Sequence, residues 1–531
     1  MKLQSKHLTL WYVIYAIIFA LVITGLVDRR IIFLGALLLA YWSLLAPLES
    51  AVLMFVQCIP LFTALPLSAT FDNFNLWRPI ALIIFARLIA EPTVRASLAR
   101  SLRLLYTSPL RWARAYPIGT IFIILTLGAA LSLLNAAHVL VGIKRYVLIM
   151  NAALVPMTLW ALIRMNRLSV ERVIESIATP IRIVVVVGFL QLLSTYLIDV
   201  YQFMRIWGEG IQRNQFGTEW SYIATHVGNT WLAYYGNQLS LRVFSLFPDS
   251  HSFPSFVLIG LPALLALGAT PIIRKAQDAS FMQMARTYAA WSILWVPAAY
   301  LAIILSGTRG MWVGAVVACF LVLLYRMLLW RSQITELRKK LFSYASAYLI
   351  AFFLLFGVAW PIFISPQFLL GKQDISMFGN RIRSVLDFGE TSNSLRIEIW
   401  KQSLGSIARH PFLGVGLGNF PVVLEQDIEL GRAGSTAHNL YLHVAAEMGV
   451  ASLVVVVLLC LRLWHDVWVW FRESDGVATL YSAGTLLSLP WFLAYMMTDP
   501  IVFDERVLLL FSVICALVWS ATPRPSSHAK S

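Results

Sequence analysis

A histidine lies where a polar sequence runs into a long apolar one. Residues Ala437–Val450 read AHNLYLHVAAEMGV and continue without a break into the apolar run ASLVVVVLLCLRLW. If a membrane helix starts near Asn439, His438 lies at its cap and Tyr441 lies on the face below it. Imidazole titrates near neutral pH, at about 6.5 when unperturbed, so a positioned histidine can take a proton from a hydroxyl group. This stretch therefore predicts a general base, His438, at the mouth of a membrane helix.

Three arginines from separate parts of the chain are candidates to bind an anion. Arg309 lies in SGTRG, a tight turn expected between two spans, Arg242 precedes another predicted span, and Arg396 lies on the polar side of a predicted amphipathic helix. The planar, permanently charged guanidinium group matches phosphate oxygens, and two or three of them can hold a diphosphate while charge builds on it. The four residues together predict displacement of a lipid diphosphate, with His438 and Arg309 as the catalytic pair.

Each arginine also has a structural interpretation. Arg309 could be an anchor that reaches to the membrane interface. Arg242 and Arg396 could form structural salt bridges, for instance with Asp249 or Glu398. These alternatives stay open on sequence alone.

Glu447 is a second ionisable group in the same apolar span. It follows His438 by nine residues and therefore lies on the opposite helical face, but it follows His443 by four and could pair with it. We assign Glu447 to support or gating before direct catalysis. Asn439, Tyr441 and Glu447 complete the candidate substrate-binding set, together with Arg242 and Arg396.

Membrane helices must position these residues. Hydrophobic residues make up 59% of the 531 and charged residues 13%, and the apolar residues fall in blocks of about 20, the length that crosses a bilayer. We expect an all-α polytopic membrane protein of about 12–14 transmembrane helices. The candidate spans begin roughly at residues 8, 31, 50, 79, 117, 146, 182, 254, 288, 311, 342, 438, 478 and 506.

The basic residues predict which side of the membrane holds the site. With the N-terminus inside, the loops that contain Arg95–Arg114, Arg164–Arg172 and Arg326–Lys340 are cytoplasmic, as the positive-inside rule expects. The candidate histidine and the three arginines then share the outer side. The net charge of +15 is explained by this sorting, so no nucleic-acid partner is expected.

Two long outer segments are expected between the spans. The first is rich in Trp and Tyr, including Trp207, Trp220 and Trp231, which could stack on sugars or lie among lipid headgroups. The second holds an apolar helical stripe that predicts a helix on the membrane surface. Its members are Leu395, Ile399, Trp400, Leu404 and Ile407. The predicted division is 1–201 N-terminal transmembrane helices, 202–253 extracytoplasmic loop, 254–364 transmembrane helices with the SGTRG turn, 365–437 extracytoplasmic loop with an amphipathic helix, 438–522 C-terminal transmembrane helices, and 523–531 cytoplasmic tail.

Several familiar chemistries lack their motifs. The four cysteines lie in apolar blocks without a CxxC pair, and the sequence has no HExxH or Walker motif and no paired carboxylates in the outer loops. GVGLGNF contains GxGxG without a strand-helix unit or a later acidic residue, so a dinucleotide site is not expected. We expect no cofactor, no metal and no dependence on ATP.

Three segments in this order resemble the O-antigen ligase and polymerase family of bacterial membrane glycosyltransferases: SGTRG, then SLRIEIWKQSLGSIARHPFLGVGLGNF, then HNLYLHVAAEMG. The resemblance covers about residues 241–500, and the N-terminal third carries no recognisable motif. The family's HNxxL element is found as His438, Asn439 and Leu442. Its helix-then-PxxGxGxGxF element is found as Pro411, Gly414, Gly416, Gly418 and Phe420.

This chain departs from the family around the upstream arginine. The family usually has a glycine and a Pro-Asn pair where this chain has Ser245 and Asp249-Ser250-His251. His251 could contribute to the site or be incidental.

The resemblance implies a helical membrane fold of the GT-C type in the bacterial cytoplasmic (inner) membrane, with the site facing the periplasm or exterior. The implied partners are a lipid-linked glycan donor carried on undecaprenyl diphosphate, a glycan or lipid-sugar acceptor, and membrane lipids. In the implied mechanism His438 is the general base on an acceptor hydroxyl. Arg309, with Arg242 or Arg396, stabilises the departing diphosphate.

Three alternatives remain. A ligase moves a finished glycan to its acceptor, whereas a polymerase adds repeat units to a growing chain. A glycolipid flippase or transporter is a different class, and Glu447 and a possible helix break near Pro490 favour it. Most candidate charges lie at the outer ends of spans, which argues against transport. A glycan-binding protein without catalysis would tolerate loss of His438.

Overall fold

The structure, a computed structural model, describes residues 2–68, 71–227, 230–235, 238–275, 289–331, 335–371, 391–426 and 435–522. The predicted cytoplasmic tail, 523–531, lies outside the described residues. Helices account for most of the described chain, and the strands in it form two small hairpins. The protein is an all-α polytopic membrane protein, which confirms the predicted fold class.

A helix overlaps each of the fourteen predicted spans. The helices are α1 (Lys2–Ile23), α2 (Ile32–Leu45), α3 (Leu48–Cys58), α4 (Trp77–Ala90), α5 (Pro92–Thr107), α6 (Pro109–Ala115), α7 (Pro117–Ser132), α8 (Val139–Arg164), α9 (Val170–Ser194), α10 (Val200–Phe203), α11 (Arg213–Phe216), α12 (Thr218–Tyr222), α13 (Ser252–Lys275), α14 (Ala289–Leu305), α15 (Arg309–Arg331), α16 (Glu336–Ile364), α17 (Thr391–Arg409), α18 (Leu440–Glu473), α19 (Gly476–Tyr495) and α20 (Glu505–Ala521). Strand β1 (Ala64–Leu65) pairs antiparallel with β2 (Phe74–Asn75), and β3 (Leu232–Tyr235) pairs antiparallel with β4 (Gln238–Leu241).

By length and composition, seven of the described helices can cross a membrane: α7, α8, α9, α15, α16, α18 and α19. There are four shorter apolar segments: His7–Ile23 in α1, Leu48–Leu61, which contains α3, Ser252–Gly268 in α13 and Leu294–Leu305 in α14. The total number of crossings, about 12–14, stays a prediction.

Helix α13 lies at the centre of the bundle. Its residues 253–266 are buried on every side, and α9, α14 and α19 pack against it. A helix that is apolar all round is suited to such a position. Helix α7, in contrast, has only 11% of its apolar window buried against protein. Its outer face is available to lipid, where apolar side chains are stable.

Loops and helix ends gather at two opposite ends of the bundle. We call the end that holds the α14–α15 and α19–α20 connections the site end, and the end that holds the α2–α3 and α8–α9 connections the basic end. At the site end, Arg78 and Glu505 form an ion pair at 2.8 Å. At the basic end, Arg167 forms one with Glu49 at 2.7 Å. These contacts join helices that are distant in sequence.

The first predicted outer segment is largely folded against the core. After α10 it forms two π-helical stretches, Met204–Gln212 and Ile223–Val227, and then the β3–β4 hairpin. Trp231 is fully buried, stacks on Phe244 at 4.2 Å and donates to the Pro248 carbonyl oxygen at 2.8 Å. Trp207 is also buried. The expectation that these two tryptophans stack on sugars or lie among headgroups is therefore wrong, because their rings fill the core.

Helix α17 is the predicted amphipathic helix, and it ends before Pro411. Part of its stripe packs on the protein: Ile399 and Ile407 join a small core, and Trp400 Nε1 donates to the Ala437 carbonyl oxygen at 2.9 Å. Leu395 and Leu404 remain exposed. The helix is thus docked against the residue that precedes His438.

Helix α18 is interrupted one third of the way along its length. Gly449 has φ 82° and ψ 167°, so the helical hydrogen-bond pattern is broken there. Only glycine adopts this conformation without strain. A Cβ atom at this position would also overlap the Phe412 carbonyl oxygen. The segment that begins after His438 is therefore a separate short helix above a long span.

The glycine-rich loop 411–420 fills the interruption. Its N–H groups donate to the carbonyl oxygens of Ala446 and Glu447 at 2.8 and 2.9 Å, and the Val450 N–H donates to Pro411 at 2.8 Å. The broken helix thereby regains partners for its backbone groups, as membrane helices require. Gly414 lies so close that a Cβ atom would overlap the Glu447 backbone.

The same loop also contacts the N-terminal third of the chain. Asn135 Nδ2 donates to the Gly414 carbonyl oxygen at 2.9 Å, and the Leu417 N–H donates to Ser132 Oγ at 3.1 Å. The His138 N–H donates to the Asn419 side chain at 2.8 Å. The connection between α7 and α8 therefore helps to hold the glycine-rich loop in place.

Candidate active site

The SGTRG sequence forms the tight turn that was predicted between two spans. Helix α14 ends at Leu305 and α15 begins at Arg309. Gly310 packs directly on the connection after α19: a Cβ atom there would lie 2.9 Å from Tyr495 Cε2 and would overlap Thr498 Oγ1. The half-buried Arg309 therefore lies beside the α19–α20 connection at the site end.

Arg242 is held by this turn. Its Nε donates to the Ser306 carbonyl oxygen at 3.2 Å, and its Nη2 donates to Thr308 Oγ1 at 3.3 Å. Nη2 also lies 3.0 Å from His251 Nε2. The suggested partner Asp249 has another role, because its Oδ1 accepts the N–H groups of His251 and Ser252 at 2.8 and 2.7 Å, at the start of α13. The arginine is thus oriented before any ligand binds.

His251 connects Arg242 to a buried carboxylate. A guanidinium group only donates, so His251 Nε2 accepts and the network assigns the ring proton to Nδ1. Nδ1 then donates to Asp499 Oδ2 at 3.1 Å. Burial alone would raise the pKa of Asp499, but the hydrogen bond from His251 and the positive charge of Arg396 hold the pKa below its usual range. Asp499 is therefore an anion among positive groups.

His438 lies directly before Asn439, the N-cap residue of α18, and so at the helix start that was predicted near Asn439. It has the left-handed conformation, with φ 45°. Its backbone N–H donates to Thr436 Oγ1 at 3.2 Å. Within the described residues its buried Nδ1 has no hydrogen-bond partner. Burial lowers the pKa of His438, Asp499 opposes that effect, and Arg396 adds to it. The imidazole is consequently neutral at pH 7 and able to accept a proton.

Asn439 and Tyr441 hold the start of α18. Asn439 Oδ1 accepts the N–H groups of Tyr441 and Leu442 at 2.9 and 3.1 Å, which is an N-cap. The Tyr441 hydroxyl donates to the Leu493 carbonyl oxygen at 3.1 Å. Both side chains fix the position of His438, and their predicted contact with substrate stays a prediction.

Glu447 pairs with His443, as the four-residue spacing predicts. The His443 Nε2 to Glu447 Oε1 distance is 3.3 Å, and the same oxygen accepts the Phe420 N–H at 3.0 Å. The Ala437 N–H donates to His443 Nδ1 at 3.4 Å. We call these four residues the clamp. It connects the glycine-rich loop to the residue before His438 and supports the structural assignment of Glu447.

Arg396 faces the cluster from α17. It interacts electrostatically with His438 and Asp499, and it forms no ion pair within the part of the chain that the structure describes. The suggested salt bridge to Glu398 is wrong, because Glu398 lies 3.9 Å from Lys401 instead. Arg396 on α17 therefore contributes its positive charge to the surroundings of His438 and Asp499.

The structure brings His438, Arg242 and Arg396 together around Asp499, with Arg309 on the adjoining turn. Sequence reasoning missed Asp499 and underrated His251. The available signal for Asp499 was MTDP, an acidic residue and a proline immediately after the apolar α19 block. We call His438, Arg242, Arg396, His251 and Asp499 the site cluster.

Residues 293–457 match the family model described as O-Antigen ligase. The matched region includes the SGTRG turn, the glycine-rich loop, His438 and the clamp. Arg242, His251 and Asp499 lie outside it. None of the curated proteins matches the chain.

Proposed function

From the match of residues 293–457 to the O-antigen ligase family model, we infer that the chain is a membrane glycosyltransferase of that family, and on that premise we propose its substrates and its catalytic residues. It moves a glycan from an undecaprenyl-diphosphate-linked donor to an acceptor hydroxyl on the outer side of the cytoplasmic membrane. The observation that carries this proposal is the site cluster: a neutral histidine, an oriented arginine (Arg242) and a second arginine (Arg396) around one carboxylate, at one end of a membrane bundle.

His438 is the general base. The acceptor hydroxyl gives its proton to a ring nitrogen of His438 as its oxygen forms a bond to the anomeric carbon of the donor sugar. The bond from that carbon to the phosphate oxygen breaks, and the electron pair leaves with the diphosphate. The lowered pKa of His438 supports this role, because the ring is already unprotonated at neutral pH.

The arginines stabilise the diphosphate as negative charge develops on it. Arg242 is preorganised by Ser306 and Thr308, so little ordering is required during the reaction. Arg309 on the same turn and Arg396 on α17 supply two further positive charges. Two guanidinium groups that bind neighbouring phosphates account for specificity toward a diphosphate over a neutral lipid.

Asp499 is a positioning residue. Its carboxylate orients His251, which in turn contacts Arg242. It also offsets the positive charge around His438 while the site holds no anion. Loss of Asp499 should therefore alter both the orientation of Arg242 and the protonation of His438.

The distribution of charge supports the outer location. The basic end carries α5 and α6, whose Arg95, Arg100, Arg103, Arg111 and Arg114 are exposed. The positive-inside rule assigns such an end to the cytoplasm. The site cluster, at the opposite end, then faces the periplasm or exterior, where membrane lipids and the acceptor surround it.

Two features that favoured transport have structural roles. Glu447 is occupied by His443 and the Phe420 N–H, and α19 continues through Pro490 as one helix. Both observations support catalysis over carriage of substrate through the bundle. Ligase and polymerase activity remain two outcomes of the same chemistry.

The test uses purified wild-type protein and two variants in lipid vesicles with a labelled lipid-linked glycan and candidate acceptors, without ATP or added metal. His438→Ala should slow transfer by about 10²–10⁴-fold because it removes the base. His465→Ala is the matched control, since this exposed histidine lies on the same helix at the basic end. One product band indicates a ligase and a ladder indicates a polymerase.

Normal transfer by His438→Ala would overturn the assignment of the base. Label that crosses the bilayer while still attached to its lipid, in wild type and variant alike, would replace catalysis with transport.

A further inference from the structure

Tyr495 has a buried hydroxyl group without a partner next to the site cluster. It is the last residue of α19, and its side chain is 1% exposed. Within the described residues its hydroxyl makes no hydrogen bond. It interacts electrostatically with Asp499, Asp249, Arg242 and Arg396.

A buried hydroxyl group without a hydrogen-bond partner destabilises a protein, and native structures rarely contain one. Most buried polar side-chain atoms are hydrogen-bonded, and an exception needs a specific explanation. His438 Nδ1 is a second such atom in the same cluster. Two unpartnered polar atoms beside two arginines indicate a place that a polar ligand completes.

The surroundings favour an anionic ligand for this hydroxyl. Asp499 and Asp249 bring negative charge near it, and Arg242 and Arg396 bring positive charge. Both carboxylates already have donors, because Asp499 accepts from His251 and Asp249 accepts from the His251 and Ser252 N–H groups and the Ser252 hydroxyl. The ring lies against Gly310, so Tyr495 borders the residue that follows Arg309. Guanidinium groups cannot accept a hydrogen bond, so the hydroxyl proton can be offered to an incoming acceptor such as a phosphate oxygen.

We propose that Tyr495 is a further ligand-binding residue, whose hydroxyl donates a hydrogen bond to a phosphate oxygen of the lipid diphosphate. This inference rests on the proposed function. The hydroxyl keeps its proton throughout, because the proton from the acceptor goes to His438. Its role is to hold the leaving group and to share the charge that develops there.

Two Tyr→Phe variants separate this role from packing. Tyr495→Phe removes only the hydroxyl group. Tyr481→Phe is the matched control, because Tyr481 lies on the same helix, is fully buried and has no part in the site cluster. Fourteen residues of helix put it about 21 Å away along the axis. Both variants keep the buried ring, so both should fold, and Tyr495→Phe should have at least wild-type thermal stability because it loses a buried, unpartnered hydroxyl.

The probes are undecaprenyl diphosphate and undecaprenol, titrated into each protein in lipid nanodiscs. Tyr495→Phe should weaken the binding of undecaprenyl diphosphate by about 10- to 100-fold, the usual effect of a lost hydrogen bond to a charged group. Binding of undecaprenol should be the same in all three proteins. Tyr481→Phe should bind both lipids as wild type does.

Glycan transfer is measured on the same samples. Wild-type diphosphate affinity in Tyr495→Phe overturns the inference, even where transfer by wild type is normal. Diphosphate binding that depends on Tyr495 in a protein that transfers nothing supports the inference and refutes the proposed function. Failure of wild type to distinguish the two lipids overturns both.

Discussion

The clamp gives a prediction whose size follows from its hydrogen bonds. Glu447 Oε1 accepts from His443 Nε2 and from the Phe420 N–H, and all three residues lie in the protein interior. Glu447→Ala leaves two buried donors without an acceptor. Each such donor costs about 1–3 kcal/mol, so the free energy of unfolding should fall by about 2–6 kcal/mol before any cavity is counted. That is a large part of the stability of a typical domain.

Glu447→Gln is the matched variant. Its carbonyl oxygen can occupy the place of Oε1 and accept both hydrogen bonds, so it loses the charge but keeps the acceptor. The difference between charged and neutral hydrogen bonds suggests a cost of about 1–2 kcal/mol. Chemical unfolding of both variants in mild detergent measures the two values. Hydrogen exchange at the Phe420 amide, which should increase much more in the alanine variant, locates the change.

Two results would refute this reasoning. Wild-type stability of Glu447→Ala, with unchanged exchange at Phe420, would mean that the two hydrogen bonds contribute nothing. Equal damage from glutamine and alanine would mean that the negative charge, not the acceptor oxygen, is what the protein needs at Glu447. The structural role of Glu447 would then depend on its charge and not on its two accepted hydrogen bonds.

Two further predictions concern the charge around His438 and the interruption of α18. Arg396→Gln removes a positive charge, so it should raise the pKa of His438 and move the acidic limb of the pH-rate profile to higher pH, whereas Asp499→Asn should move that limb to lower pH. Initial rates between pH 4 and 8 measure both shifts. Limbs that move in the same direction in both variants, or do not move, would contradict the electrostatic account. Gly449→Ala should destabilise the protein by at least about 1–3 kcal/mol because alanine is strained at the φ and ψ values of this position. The control Gly405→Ala, in an open helical position, should be neutral or stabilising. Thermal unfolding compares the two variants, and equal effects would contradict the requirement for glycine at position 449.

Local periodicity in the sequence was sufficient for the helices and for contacts within one helix. A helix overlaps each of the fourteen apolar blocks, and the spacing of His443 and Glu447 predicted their pairing. The polar sequence before α18 likewise indicated that His438 lies at a helix start. These features depend on residues a few positions apart, so a single sequence contains them.

Contacts between segments that are distant in the sequence could not be predicted from local periodicity. His251 and Asp499 are about half the chain apart, and nothing local in either sequence indicates the 3.1 Å contact. The burial of Trp231 was missed for a similar reason: tryptophan suits an interface as well as a core, and only Phe244 and Pro248 decide between them. The interruption at Gly449 depends on the loop that fills it.

The contacts of the glycine-rich loop determine whether the region that matches the family could fold or be exchanged by itself. The loop that fixes the start of α18 is itself held by Ser132, Asn135 and His138, far outside the family match of residues 293–457. The recognisable region is therefore not an autonomous module. The position of the loop depends on α7 and α8 as well, so a chimera that exchanges the matched region should also exchange the α7–α8 connection.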